Sequence, residues 1–80
     1  MTRILLIDDD PRLRSVIGRG LKAEGFEVDM AADGRSGLAR ALTGRYPVIL
    51  LDLNLPDTDG VQVCRDLRRK GCGSGVLMLT

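Results

Sequence analysis

The stretch that decides the fold is VILLDLNLPDTDG, residues 48–60. Its first four residues are apolar and lead directly to the carboxylate of Asp52, and turn residues follow at Pro56 and at the pair Asp59-Gly60. A short apolar run bounded by turn residues is typical of a buried strand in a parallel sheet. A carboxylate at the end of such a strand is poorly solvated. Asp52 therefore either simply ends the strand or lies beside a cation.

The rest of the chain alternates between strand and helix patterns. Apolar runs predict strands at residues 4–7, 26–31, 48–51 and 76–79, and helical spacing of apolar residues predicts helices at residues 11–25, 34–44 and 61–71. Asp10 and Pro11 are typical of a helix start, with a capping side chain followed by proline in the first turn. The order βαβαβαβ predicts a parallel sheet with helices on both faces, joined by right-handed crossovers.

Composition limits the classes of function. The 80 residues suffice for one small domain, and the net charge of +1 gives no field that would attract nucleic acid or an anionic membrane. No segment has the length and apolar character of a signal peptide or a bilayer span, so we predict a cytoplasmic chain. With no histidine and only Cys64 and Cys72 as thiols, a zinc site is excluded. Any bound metal must be a hard cation with oxygen ligands.

Aspartates gather at two predicted strand ends. Asp8, Asp9 and Asp10 follow the first strand, and Asp52 ends the third. Helix capping accounts for Asp10 but does not require the other two. The carboxyl ends of parallel strands meet at one edge of a sheet, so these acids are expected to converge there, beside Thr80 at the end of the fourth strand. Mg²⁺ prefers oxygen ligands of this kind, and a backbone carbonyl would complete the set.

The segments ILLIDDD, VILLDLNLPDTDG and VLMLT, in this order, resemble the receiver domain of two-component response regulators over the whole chain. The resemblance implies a flavodoxin-like (CheY-like), doubly wound parallel sheet with strand order 2-1-3-4. It implies that Asp52 accepts a phosphoryl group from a phosphohistidine of a sensor histidine kinase or phosphotransfer protein. Asp8 and Asp9 match the acidic pair that binds Mg²⁺ together with the acceptor, the main-chain carbonyl of Asn54 matches a further metal ligand, and Thr80 matches the hydroxyl residue that contacts the phosphoryl group.

The same resemblance carries expectations about the whole protein. DLNLP, residues 52–56, is similar to the pattern of receivers joined to winged-helix DNA-binding domains, the OmpR/PhoB-like subfamily, so regulation of transcription is expected. Receivers continue through a fourth helix, a fifth strand and a fifth helix, so residues 1–80 are expected to be the N-terminal two-thirds of one receiver domain. The fourth strand would then be an open edge suited to a homodimer. No direct contact with nucleic acid or membrane is expected.

Two other classes of function remain open. A phosphohydrolase with an aspartyl nucleophile, of the haloacid dehalogenase type, would carry a second Asp two residues after the nucleophile, where Asn54 stands. A non-phosphorylated interaction module could keep the receiver fold without the switch, and the missing elements favour it. As a phosphoacceptor the chain would be a regulatory domain and not an enzyme. Without histidine it cannot be its own phosphodonor, so the phosphoryl group must come from a partner or a small acyl phosphate.

Overall fold

The structure is a computed structural model that describes residues 2–79, in which strands and helices alternate as predicted. All neighbouring strands are parallel, and their order is β2-β1-β3-β4, which confirms the expected fold class. Thr80 lies outside the described residues. The elements are β1 (Arg3–Ile7), α1 (Pro11–Ala23), β2 (Glu27–Ala31), α2 (Gly34–Thr43), β3 (Val48–Asp52), α3 (Gly60–Arg69) and β4 (Gly75–Leu79).

The ends of α1 show how local residues set the element bounds. The Asp10 side chain accepts hydrogen bonds from the N–H groups of Arg12 and Leu13, as a helix N-cap does. At the other end Gly25 has a φ of 93°, and the N–H of Phe26 donates to the carbonyl of Leu21. This pattern is a glycine C-cap. Because it uses the amide of Phe26, β2 begins one residue later than the sequence pattern predicted.

The two faces of the sheet are covered by different helices. Side chains alternate between the faces of a strand, so Leu5 and Ile7 point to one face and Leu6 to the other. The first face forms the main core with α2 and α3, which supply residues such as Ala41 and Leu67. On the second face α1 contacts β1 and β2, and a Cβ on its buried Gly18 would overlap the methyl group of Met30. The doubly wound arrangement is therefore confirmed.

The strand β4 forms one edge of the sheet and has no buried residue, in contrast to the other three strands. Among the described residues β4 pairs with β3 alone. Leu77, which is in register with Leu50, keeps 61% of its surface exposed. Within residues 2–79 we find no helix whose length and apolar character would let it cross a membrane.

Candidate metal centre

Three carboxylates converge where β1 and β3 end. Each of the residues Asp8, Asp9 and Asp52 offers one carboxylate oxygen, and these three oxygens lie within 4.8 Å of one another. The cause is the parallel pairing of β1 with β3, which sets Ile7 opposite Leu51 and so brings the residues after them to the same edge. The structure thus brings these three sequence-predicted residues together, while the ion that they bind stays a prediction.

Asp8 is the most constrained of the three. Its side chain is buried, Oδ1 accepts a hydrogen bond from the N–H of Asp10 at 3.0 Å, and Oδ2 is buried with no hydrogen-bond partner among the described residues. Burial raises the pKa of Asp8, and the nearby charges of Asp52 and Asp9 raise it further, while the hydrogen bond from Asp10 opposes them. An unpaired buried carboxylate oxygen is unfavourable unless a cation compensates it. The all-oxygen cluster therefore fits a hard cation such as Mg²⁺.

The other two carboxylates are open to solvent in different degrees. Asp9 is exposed and Asp52 is half-buried. Oδ1 of Asp52 accepts a hydrogen bond from the N–H of Asn54 at 3.3 Å, and the described hydrogen bonds do not use its second oxygen. Asp52 can therefore keep the hydrogen bond of Oδ1 to the backbone while Oδ2 binds a ligand from solvent.

The loop of residues 53–59 turns back on itself directly after Asp52. The N–H of Gly60 donates to the carbonyl of Leu53 at 2.8 Å, and the N–H of Leu55 donates to the carbonyl of Thr58 at 3.1 Å. These two bonds flank the antiparallel bridge between Asn54 and Asp59. In such a bridge the paired residues do not use their own carbonyls, so the Asn54 carbonyl is left available to another ligand.

Comparison with known proteins identifies the family. A model described as response regulator receiver domain matches residues 4–80. The chain belongs to this family. The receiver is 44% identical over 78 residues to the transcriptional regulatory protein TcrA of Mycobacterium tuberculosis, a match that covers 98% of this chain and 31% of that protein. The receiver thus spans about a third of the length of this curated relative.

Solved structures agree with this assignment. The receiver superimposes with a TM-score of 0.95 and 34% identity on response regulator TrrA from Thermotoga maritima in complex with Mg²⁺-BeF, covering 100% of this chain and 70% of that one. A complex of the histidine kinase ThkA with TrrA matches with a TM-score of 0.92 and 34% identity, covering 100% of this chain and 69% of that one. The family and the CheY-like fold expected from the sequence are thereby confirmed.

Two aspartates of the receiver have contacts that the sequence interpretation missed. Asp59, considered only as a turn residue, is the N-cap of α3, and its Oδ1 accepts a hydrogen bond from the N–H of Gln62 at 2.7 Å. Its position directly before a helical pattern could have revealed this role. Asp57 accepts hydrogen bonds from Gly34 and Arg35, more than twenty positions earlier. No local pattern indicates such a contact.

A cavity of the receiver lies away from the acidic cluster. It has a volume of about 470 Å³ and is lined by residues of the loops before β3 and β4, among them Tyr46, Pro47 and Ser74. These loops lie at the amino-terminal edge of the sheet, opposite the acidic cluster. None of the three clustered aspartates lines it. The candidate site is therefore the open acidic edge and not this cavity.

Proposed function

We propose that this receiver is the phosphoacceptor of a two-component phosphorelay and that Asp52 is the acceptor residue. The observation that carries the proposal is the convergence of three carboxylates around the unpaired, buried Oδ2 of Asp8. The solved complexes of TrrA with Mg²⁺-BeF and with the histidine kinase ThkA support it by similarity. Regulation of transcription by the whole protein is part of the proposal. TcrA, 44% identical to this chain, and ResD of Bacillus subtilis, 40% identical over 79 residues, are both named as transcriptional regulatory proteins.

In the proposed reaction an oxygen of the Asp52 carboxylate attacks the phosphorus of a phosphohistidine. A P–O bond forms, the P–N bond breaks, and its electron pair stays on the imidazole nitrogen of the donor. The attack brings an anion to an already negative phosphoryl group, so positive charge is needed beside the reacting oxygens. Bound Mg²⁺ would supply that charge. Asp8, Asp9, Asp52 and the main-chain carbonyl of Asn54 would hold it.

The remaining roles follow from the same proposal. Thr80 contacts the phosphoryl group through its hydroxyl. Residues 1–80 contain no histidine, so they cannot donate the phosphoryl group themselves. The proposed donor is a sensor histidine kinase or a phosphotransfer protein, and a small acyl phosphate can take its place. The domain is regulatory and not an enzyme with a diffusible substrate. We place it in the cytoplasm, where free thiols such as those of Cys64 and Cys72 stay reduced.

Phosphorylation with a small donor tests the proposal directly. The receiver is incubated with acetyl phosphate and Mg²⁺, and the intact mass is measured at neutral pH. We expect a phosphoryl adduct that requires Mg²⁺ and is absent from the Asp52→Asn variant. The same variant should also lose the Mg²⁺-dependent NMR shifts that beryllofluoride causes in the unmodified chain. No adduct in the unmodified chain, or an adduct that persists in Asp52→Asn, would refute the assignment.

The open edge of β4 supports a second, weaker candidate, a protein-interaction module. β4 pairs on one side only among the described residues, and its Leu77 is largely exposed. A second copy of the chain could pair there and form a homodimer, since unpaired strand edges readily accept another strand. With a net charge of +1 the segment is not expected to contact nucleic acid by itself.

A further inference from the structure

Asp57 joins the loop of residues 53–59 to a distant helix. Its Oδ1 accepts a hydrogen bond from the N–H of Gly34 at 2.8 Å, and its Oδ2 accepts one from the N–H of Arg35 at 2.9 Å. Both donors belong to the first turn of α2, where backbone N–H groups have no partner inside the helix. These two hydrogen bonds, first that of Gly34, lower the pKa of Asp57, so its carboxylate is ionised at neutral pH and faces the positive end of the helix dipole.

The helix has a cap of its own and does not depend on Asp57 alone. Asp33 precedes α2, and its Oδ1 accepts a hydrogen bond from the N–H of Ser36 at 2.7 Å. Asp33 belongs to the loop between β2 and α2, whereas Asp57 comes from the loop that follows Asp52. Two aspartates therefore stabilise the same helix end, but only one of them also restrains the loop beside the acidic cluster.

The loop is fixed at its base and at its tip by different contacts. At the base, the bonds around the Asn54–Asp59 bridge close the loop, and the side chain of Leu55 is buried in the core. At the tip, the bonds from Asp57 reach α2, and Thr58 packs so closely on Gly34 that a Cβ there would overlap its methyl group. Asn54 belongs to the base and lies three residues before Asp57 at the tip, so both sets of contacts limit where its carbonyl points.

We propose that Asp57 is a positioning residue for the metal centre. By tying the tip of the loop to α2, it holds the Asn54 carbonyl in place beside the carboxylates of Asp52 and Asp8. Asp57 itself contacts neither metal nor phosphoryl group. This inference rests on the proposed function, because it assigns a purpose to a loop that matters for binding only if Mg²⁺ is bound at the cluster.

The two aspartates at α2 provide a matched pair of variants. Mg²⁺ alone is titrated into the unmodified chain, Asp57→Ala and Asp33→Ala, and the amide chemical shifts of the acidic cluster are followed by NMR. Each protein is measured without urea, at a temperature below its own thermal unfolding transition. Both variants remove a helix cap, so both should unfold at lower urea concentration. Only Asp57→Ala should bind Mg²⁺ more weakly, by about tenfold, the lower end of the effect typical for residues that orient metal ligands. Asp33→Ala should bind as the unmodified chain does.

A conservative variant adds a rescue measurement. Asp57→Asn keeps one carbonyl oxygen, which can accept one of the two amide hydrogen bonds, so its Mg²⁺ affinity should fall between those of the unmodified chain and Asp57→Ala. Where Asp57→Ala does not fold, Asp57→Asn is compared with Asp33→Ala in the same way. Equal affinity of the Asp57 variants and the unmodified chain overturns the inference. Equal weakening in the Asp57 and Asp33 variants also overturns it, because the effect would then come from α2 stability alone.

Failure of the proposed function would give a different result. In that case the unmodified chain would bind no Mg²⁺ at the acidic cluster, or Asp52→Asn would bind it equally well. If the unmodified chain binds Mg²⁺ in a manner that depends on Asp52, the metal centre stands, and the comparison of Asp57 with Asp33 then decides the positioning role by itself.

Discussion

At the residue scale, we expect the carboxylate of Asp8 to lower the stability of the metal-free fold and to raise its affinity for Mg²⁺. Burial without a partner for Oδ2 and the neighbouring negative charges both disfavour its ionised form. The variant Asp8→Asn removes this charge at nearly constant volume. Without Mg²⁺ we expect its free energy of unfolding at pH 7 to increase by about 1 kcal/mol, and its Mg²⁺ affinity to fall. Urea unfolding with and without Mg²⁺ measures both, and a decrease in stability without metal would contradict the prediction.

Gly60 is expected to be irreplaceable for steric reasons. A Cβ at this position would lie 2.6 Å from the carbonyl oxygen of Asp52 and 3.1 Å from Cα of Leu53, and backbone atoms cannot rotate away. We expect Gly60→Ala to lower the free energy of unfolding by about 2 kcal/mol. The control is Gly20→Ala in α1, where nothing lies within 4 Å. This exchange should raise stability by about 0.5 to 1 kcal/mol, since alanine favours a helix. Equal effects in urea unfolding would disprove the close approach at Gly60.

Individual residues of the site differ in how far the sequence could predict them. The convergence of Asp8, Asp9 and Asp52 followed from two adjacent parallel strands, because topology alone brings their ends together. The contact of Asp57 with α2 could not be anticipated, because it depends on how a loop folds toward a helix more than twenty positions away. The sequence also could not predict that Asp8 is buried while Asp9 is exposed. The two residues are identical and adjacent, and they differ only in the side of the chain that each one faces.

At the scale of elements, Tyr46 connects the loop before β3 with the edge strand β2. Its buried hydroxyl donates a hydrogen bond to Oδ2 of Asp29 at 2.6 Å, and Arg3 donates to the same oxygen at 2.8 Å. The bond from Tyr46, followed by that from Arg3, lowers the pKa of Asp29, while partial burial opposes this. The folded protein therefore holds this proton less tightly than the unfolded chain. Its contribution to stability is present above the ordinary pKa of aspartate and is lost as the pH falls through the lowered value.

We expect Tyr46→Phe to lower the free energy of unfolding at pH 7 by about 1 kcal/mol, because Asp29 keeps contact with solvent and with Arg3. The loss should shrink in acid, where Asp29 becomes protonated in the unmodified chain as well. Urea unfolding across this pH range measures the effect. The same exchange in an Asp29→Ala background, which has no acceptor on this side chain, is the control, and a loss of equal size there would show that the phenol oxygen acts through another partner.

The elements themselves were largely predictable, and the exceptions have local causes. Their order and the N-cap of α1 followed from apolar spacing and from the pair Asp10-Pro11. β2 begins at Glu27 because the amide of Phe26 belongs to the end of α1. β4 begins at Gly75, one residue early, because the N–H of Gly75 already donates to the carbonyl of Pro47. Apolar pattern cannot reveal a hydrogen bond made by glycine.

At the scale of the whole molecule, the open edge of β4 predicts self-association of the 80-residue chain. Exposed apolar residues on an unpaired strand favour pairing with another copy. Leu77→Lys places a charge at this edge and should lower the associated fraction in sedimentation velocity, with about 0.5 kcal/mol or less change in stability because the side chain is mostly exposed. Val61→Lys in α3, with 46% exposure, adds the same charge elsewhere. Association that is reduced equally by both variants, or by neither, would argue against the β4 edge.

The N–H of Leu53, directly after the proposed acceptor Asp52, donates a hydrogen bond to the carbonyl of Leu79 at 3.3 Å, which is longer than most such bonds. We expect a group that becomes attached to Asp52 to shift this neighbouring peptide, so that the bond shortens or breaks. The rate of deuterium uptake at the Leu53 amide would then measure the fraction of molecules in which Asp52 carries an attached group. It would report loading in real time without any label on the donor.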